Sequence, residues 1–349
     1  MKREDLYIRS FRGEDGFNEF VTSLGGDPVA VTKASGLSPS LPKGLINYES
    51  FARICRLYEE AAKQTGEPYF GLKWALSQPT DFRFNGPIVF LLTKATDVRH
   101  WMDMAISYQT LHINGVTYRY EADKAADSVT NIISVHPLAP PCRQMVELLL
   151  AGYALMGYQF IPDCKFKRAT FQHSAPEDMA LYEKIFKCPV IFNANQTTLV
   201  SEYSYIEVKN TDLMTRIASP FIKKYMDWRI VKHPIAKQTI SMLVIETIPT
   251  ILGVQGSNIQ HVARALDLHS KKLQRLLKEE GTSYTTILDE VRQNIAARLL
   301  AESDISIARL AKMLDYSSDR AFTTASKRWF GMPASEYRQV LKSEKIYTA

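Results

Sequence analysis

The chain has 349 residues, 46% hydrophobic and 23% charged, with 43 Lys and Arg against 37 Asp and Glu and a formal net charge of +6. That length predicts two domains or three small ones, and the ordinary composition excludes wholesale disorder and fibrous repeats. The longest apolar stretches, Met145 to Tyr158 and Met242 to Leu252, are each interrupted by a glutamate and fall short of the roughly 20 residues that span a bilayer, so no membrane helix is expected.

Met1 to Glu14 alternates charge with single apolar residues and lacks the apolar centre of a signal peptide, which predicts a cytoplasmic protein. Cys55, Cys142, Cys164 and Cys188 stand 87, 22 and 24 residues apart, with no C-x-x-C pair and no histidine at zinc-ligand spacing. They read as free thiols, and no metal or cofactor site is expected. From Pro234 to Ala349 there are 16 Lys and Arg against 12 Asp and Glu, so the basic excess gathers in the last third.

In chain order, the first 45 residues predict a short element and loops around Gly25-Gly26-Asp27-Pro28. Leu45, Phe51, Ile54, Cys55, Leu57 and Tyr58 then recur near a period of 3.6, predicting a helix that closes at Gly66. Ile88 to Leu92 is a short apolar run, and Val98 to Leu111 reads as an amphipathic helix. Gly115 to Tyr120 alternates as a strand, Asn131 to Val135 is β-branched, and Pro140 to Gly157 returns to a long helix. Lys165 to Phe171 predicts another strand. Ser174-Ala175-Pro176-Glu177-Asp178 predicts a helix start with Pro176 at the first helical position. Val190 to Phe192 and Leu199 to Val208 read as strands. From Asp212 onward the pattern is helical, and the domain boundary is expected near Arg229 to Pro234.

The last third holds an internal repeat offset by 48 residues. Ile259, Val262, Ala263 and Leu266 recur as Ile307, Leu310, Ala311 and Leu314, the i, i+3, i+4, i+7 stripe of a buried helix face. Asp267-Leu268-His269-Ser270 recurs as Asp315-Tyr316-Ser317-Ser318, a short turn between helices that cross at a large angle. These are two helix-turn-helix units, about 258–280 and 306–330, whose second helices start near Ser270 and Ser318. On the first, Leu273, Leu276 and Leu277 face inward and leave Lys271, Lys272, Gln274, Arg275 and Lys278 outside. The second offers Arg320, Thr323, Thr324, Lys327 and Arg328. Arg and Lys pair with guanine and Gln with adenine in the major groove, so these outer faces suit double-stranded DNA. Between the copies, Ile287, Leu288, Val291, Ile295, Leu299 and Leu300 mark a helix roughly 25 Å long, able to hold two reading helices near the 34 Å separation of adjacent major grooves.

Asn258 to Arg338 resembles the DNA-binding domain of AraC/XylS-type transcription regulators, with Ala321-Phe322 through Lys327-Arg328-Trp329-Phe330-Gly331 to Ser335-Glu336-Tyr337-Arg338 resembling that family's signature. The resemblance implies a sequence-specific transcription regulator. It sets Lys271, Gln274 and Arg275 at base-reading positions of the first unit, and Arg320 and Thr324 at those of the second. This sequence departs from the family pattern at five positions: Asp267 and Asp315 stand where Gly is common, Thr324 where Arg is usual, Ser326 where Phe is usual and Ala334 where Pro is usual.

Lys165 to Tyr182 with Phe186 to Phe192, Tyr69-Phe70-Gly71-Leu72, and Phe84-Asn85-Gly86-Pro87 resemble the arabinose-binding-like sensor domain of the same family. That resemblance implies a small-molecule effector, self-association as a homodimer, and contact with RNA polymerase. The expected class is therefore α+β: a mixed α/β domain over residues 1–230, then an all-α domain over 235–349 with two helix-turn-helix units joined by a long helix. Aromatic residues are frequent in the first domain, which suits an apolar ligand. Arg83, Arg99, His136 and Arg143 are the cationic candidates for anchoring an acidic group on it. An enzyme carrying a DNA-binding tail is the alternative. Against it, Gly66 to Lys73 misses the phosphate-loop pattern, and neither G-x-S-x-G nor H-E-x-x-H occurs.

Overall fold

The structure is a computed structural model and describes residues 6–10, 16–39, 47–78, 95–161, 163–209, 224, 227–228, 239–253 and 256–346. Among these, residues 6–135 and 142–228 form one compact unit, and residues 136–141 and 239–346 form the other.

The first unit opens with strand β1 (Tyr7–Ser10), helices α1 (Phe17–Ser23) and α2 (Pro28–Ala34), and strand β2 (Asn47–Ser50), which pairs antiparallel with β1. Helix α3 (Phe51–Thr65) follows directly and closes at Gly66, whose φ of 63° is the left-handed cap that glycine adopts without penalty. The expected helix thus starts later than its apolar spacing suggested, because Asn47 to Ser50 are held as a strand; Leu45 lies outside the described residues. Helix α4 (Phe70–Ser77) was not foreseen in the sequence.

Helix α5 (Val98–Tyr108) leads into the hairpin of β3 (Val116–Asp123) and β4 (Ser128–Val135). Asp123 shapes its turn by accepting from the amides of Ala125 at 2.9 Å and Ala126 at 3.0 Å. Helix α6 (Arg143–Phe160) and strand β5 (Phe166–Thr170) come next, then α7 (Ala180–Phe186), β6 (Val190–Ile191) and β7 (Thr197–Ser201). The strands form one sheet in the order β3-β4-β7-β5-β6, antiparallel except for β5 with β6. Tyr153 of α6 donates to Asn131 of β4 at 2.7 Å, tying helix to sheet. Helix α4 crosses α6 so closely that a Cβ on Gly71 would fall 2.1 Å from the Gln144 carbonyl oxygen. Gln144 answers from the other side, accepting from the Gly71 amide at 2.7 Å and donating to Pro68 at 3.0 Å.

Two sequence expectations need correction here. Residues 174–179 are not helical and Pro176 is not at a first helical position, because the Asp178 amide is taken by the Tyr69 hydroxyl at 3.0 Å while the Asp178 carboxylate accepts from Ala180. Residues 203–207 turn as a short 3-10 helix instead of extending β7. The Ile88 to Leu92 run, Phe84 to Pro87, the stretch from Asp212 to Ile222 and the Arg229 to Pro234 boundary lie outside the described residues.

The second unit is helical. Helix α8 (Ile240–Ile251) buries Val244, Ile245 and Ile248, and Glu280 holds its start by accepting from the amides of Ile240 at 2.7 Å and Ser241 at 2.9 Å. Then come α9 (Ile259–Ala265), α10 (Ser270–Glu279), the long α11 (Tyr284–Glu302), α12 (Ile307–Met313), α13 (Asp319–Phe330) and α14 (Ala334–Ile346). Nineteen residues make α11 about 28 Å long. The α+β expectation holds: a mixed sheet-and-helix domain precedes a domain of two helix-turn-helix units joined by one long helix. No helix among the described residues is long and apolar enough to cross a membrane.

Candidate nucleic-acid interface

The first helix-turn-helix unit is α9 and α10. Asn258 caps α9 by accepting from the His261 amide at 3.0 Å, and Val262 and Ala263 are buried. The turn then closes with the Leu268 amide donating to Ala263 at 2.8 Å, which requires Asp267 to take a φ of 54°. Asp is among the few non-glycine residues that enter this region readily. In α10, Leu273 and Leu277 are fully buried, so the other sides of the helix face out. Lys271, Lys272, Gln274, Arg275 and Lys278 are all exposed and Ser270 is half-buried at the helix start. Arg275 is 3.8 Å from Glu279 on the surface, a solvent-screened pair that leaves its guanidinium available.

The second unit, α12 and α13, repeats the first in its hydrogen bonds. The Tyr316 amide donates to Ala311 at 3.0 Å, as Leu268 does to Ala263, and Asp315 takes a φ of 57°. The caps differ by one register: His269 caps α10, accepting from Lys271 at 3.4 Å, whereas Ser318 caps α13, accepting from Ala321 at 3.2 Å. Arg320, Thr324 and Lys327 are exposed and Thr323 is half-buried. Both threonines turn their hydroxyl hydrogens inward, Thr323 to Asp319 at 2.8 Å and Thr324 to Arg320 at 3.0 Å. That leaves each threonine a methyl group and oxygen lone pairs for other contacts, which suits a thymine methyl better than a guanine edge. Arg328 does not project freely, because it pairs with Asp289 of α11, and Trp329 donates to the same carboxylate at 3.1 Å. In the sequence Asp289 shows only as a polar residue on an apolar-striped helix.

The described cationic candidates for the effector anchor each have partners of their own. Arg99 on α5 donates to the Tyr203 hydroxyl at 3.1 Å and lies 5.8 Å from that ring's centroid. Arg143, at the start of α6, forms an ion pair with the buried Glu147 at 2.6 Å and donates to Tyr182 at 3.3 Å. Tyr182 donates to the same Glu147 oxygen at 2.5 Å, and an aromatic cluster of Phe171, Phe186 and Phe192 surrounds it. His136 is buried in the helical unit, accepting at Nδ1 from Leu138 at 3.1 Å. Burial, and then the nearby Arg298 charge, push its pKa down to about 3, so the ring is neutral. Arg83 lies outside the described residues.

Residues 25–209 match the family model for the arabinose-binding domain of AraC transcription regulators, N-terminal, and residues 262–340 match a helix-turn-helix domain. The chain is 25% identical over 331 residues to the HTH-type transcriptional regulator VirS of Mycobacterium tuberculosis, covering 93% of this chain and 94% of that protein. It is 21% identical over 329 residues to the ornithine utilization regulator of Pseudomonas aeruginosa, covering 92% and 93%. The crystal structure of transcriptional regulator CdpR from Pseudomonas aeruginosa aligns over 92% of this chain and 97% of its own, with a TM-score of 0.43 and 21% identity. The first family match spans more than half of the chain, which therefore belongs to the AraC-type transcription regulators, with an arabinose-binding-type N-terminal domain and a helix-turn-helix DNA-binding domain.

Proposed function

We propose that this regulator reads a two-part DNA site with the outer faces of α10 and α13. The observation that carries this reading is the exposed set Lys271, Gln274 and Arg275 on a helix whose opposite side is sealed by Leu273 and Leu277. Arg275 and Lys271 suit the O6 and N7 of guanine, and Gln274 suits the N6 and N7 of adenine. Lys272, Lys278 and Lys327, with Ser270 and Ser318 at the helix starts, suit phosphates, which fix register without reading sequence. Arg320 is the base-reading donor of the second unit, with Thr323 and Thr324 beside it as weaker contacts.

The N-terminal domain takes a small molecule, for which an apolar acid is our candidate, and the regulator acts as a homodimer that touches RNA polymerase. Of the cationic groups proposed as effector anchors, Arg143 is committed to Glu147 and His136 is neutral, which leaves Arg99 the better placed of the three described. Effector binding shifts a pre-existing equilibrium between states of different DNA affinity. The test is selection of DNA from a random pool by the full chain, with mass spectrometry of small molecules that co-purify. Enrichment of one sequence supports the reading, and a pool left without enrichment refutes it.

A further inference from the structure

The two turn aspartates of the repeat have different surroundings. Asp267 is exposed, and among the described residues its carboxylate has no hydrogen bond or ion pair. The Asp315 carboxylate instead accepts from the Gly253 amide at 2.8 Å. Gly253 stands just past α8, on the chain segment that leads to the first unit. It has a φ of 72°, and a Cβ there would meet the Met313 carbonyl oxygen at 3.2 Å. The approach to the first unit is thus pressed against the turn of the second.

Arg292 of α11 reinforces this junction. One of its terminal nitrogens donates to the Ser257 hydroxyl at 2.7 Å, just before the α9 cap, and to the Asp315 carbonyl at 3.2 Å. Its guanidinium lies 4.8 Å from the centroid of the Tyr316 ring. Three residues earlier on the same helix face, Asp289 receives Arg328 and Trp329 from the far end of α13. One face of α11 therefore holds the second unit by its turn and by its reading helix, while Arg292 and Asp315 join it to the entry of the first.

We infer that Arg292 and Asp315 are positioning residues that lock the two helix-turn-helix units at one separation, so that the regulator accepts two DNA half-sites at a single spacing. Neither residue is among those assigned to touch DNA. The inference rests on the proposed two-part DNA reading. A one-base-pair change moves one half-site by about 3.4 Å along the axis and about 34° around it. Units joined only by a flexible connection would follow such a shift, and stapled units cannot.

The experiment uses the full chain and the site selected from a random pool. Affinities are measured for that site, for versions with one base pair added or removed between its halves, and for the first half alone. Wild type is expected to lose about tenfold or more on either spacing change, comparable to a mismatched base pair. Asp315→Gly supplies a residue at ease with a φ of 57° while deleting the carboxylate, so its turn is expected to form. Arg292→Met removes the bridge, and Arg292→Lys tests rescue by charge alone. Asp315→Gly and Arg292→Met should cut the spacing penalty to about threefold or less with half-site affinity unchanged. Folded variants that keep the wild-type penalty overturn the inference. So does a wild type that selects only a single half-site, which leaves DNA reading by the first unit intact. A wild type that selects no sequence overturns the DNA reading itself.

Discussion

Ser326 donates its hydroxyl to the Met332 carbonyl at 2.9 Å from a position with no solvent exposure. The bond ties the last turns of α13 to the loop that opens α14, where the family usually places a phenylalanine. The site is therefore closed around a satisfied polar group. Ser326→Ala should cost about 1 kcal/mol in urea unfolding by stranding the carbonyl. Ser326→Phe should cost about 1–3 kcal/mol by overpacking, despite restoring the usual residue. A stabilised phenylalanine variant would show that the pocket is not full.

His136 gives stability a definite pH dependence. The unfolded imidazole titrates near 6.5 and the folded one near 3, so only the unfolded chain gains this proton between those values. Its contribution is fully present above about pH 6.5 and is lost as the pH falls, by about 1.4 kcal/mol per pH unit. His136→Gln should flatten the stability profile over pH 4 to 6.5 relative to wild type. Parallel profiles for the two proteins would contradict the buried neutral ring.

Thr324 already spends its hydroxyl hydrogen on Arg320. Thr324→Val keeps the methyl and should change affinity for the selected site by less than about 0.5 kcal/mol. Arg320→Ala should cost about 1–3 kcal/mol on the same site if it reads a base. Competition binding with both variants on one DNA fragment measures the contrast.

The helical domain was legible because its signals are local. The stripe from Ile259 to Leu266, its copy from Ile307 to Leu314 and the aspartate turns all lie within single units, and the predicted burial of Leu273 and Leu277 follows from spacing alone. What escaped the sequence depends on distant partners. Asn47 to Ser50 is polar and becomes a strand only by pairing with Tyr7 to Ser10. Residues 174–179 carry every local mark of a helix start, yet the Tyr69 hydroxyl, 109 residues away in sequence, takes the Asp178 amide. Arg143 stands among the cationic anchor candidates in the sequence, although Glu147 lies at i+4, a spacing that pairs charges on one helix face. In sequence that glutamate reads only as a break in an apolar run. The staple through Asp289 and Arg292 joins elements far apart in the chain, which no periodicity encodes.

The most direct test of sequence reading by α10 is the affinity of Arg275→Ala for the selected DNA site and for random DNA of equal length at one salt concentration. A loss of about 1–3 kcal/mol confined to the selected site is predicted, because a base-edge contact discriminates while phosphate contacts do not. An equal loss on both DNAs would contradict it, reducing Arg275 to a phosphate contact and leaving the outer face of α10 without its main reader.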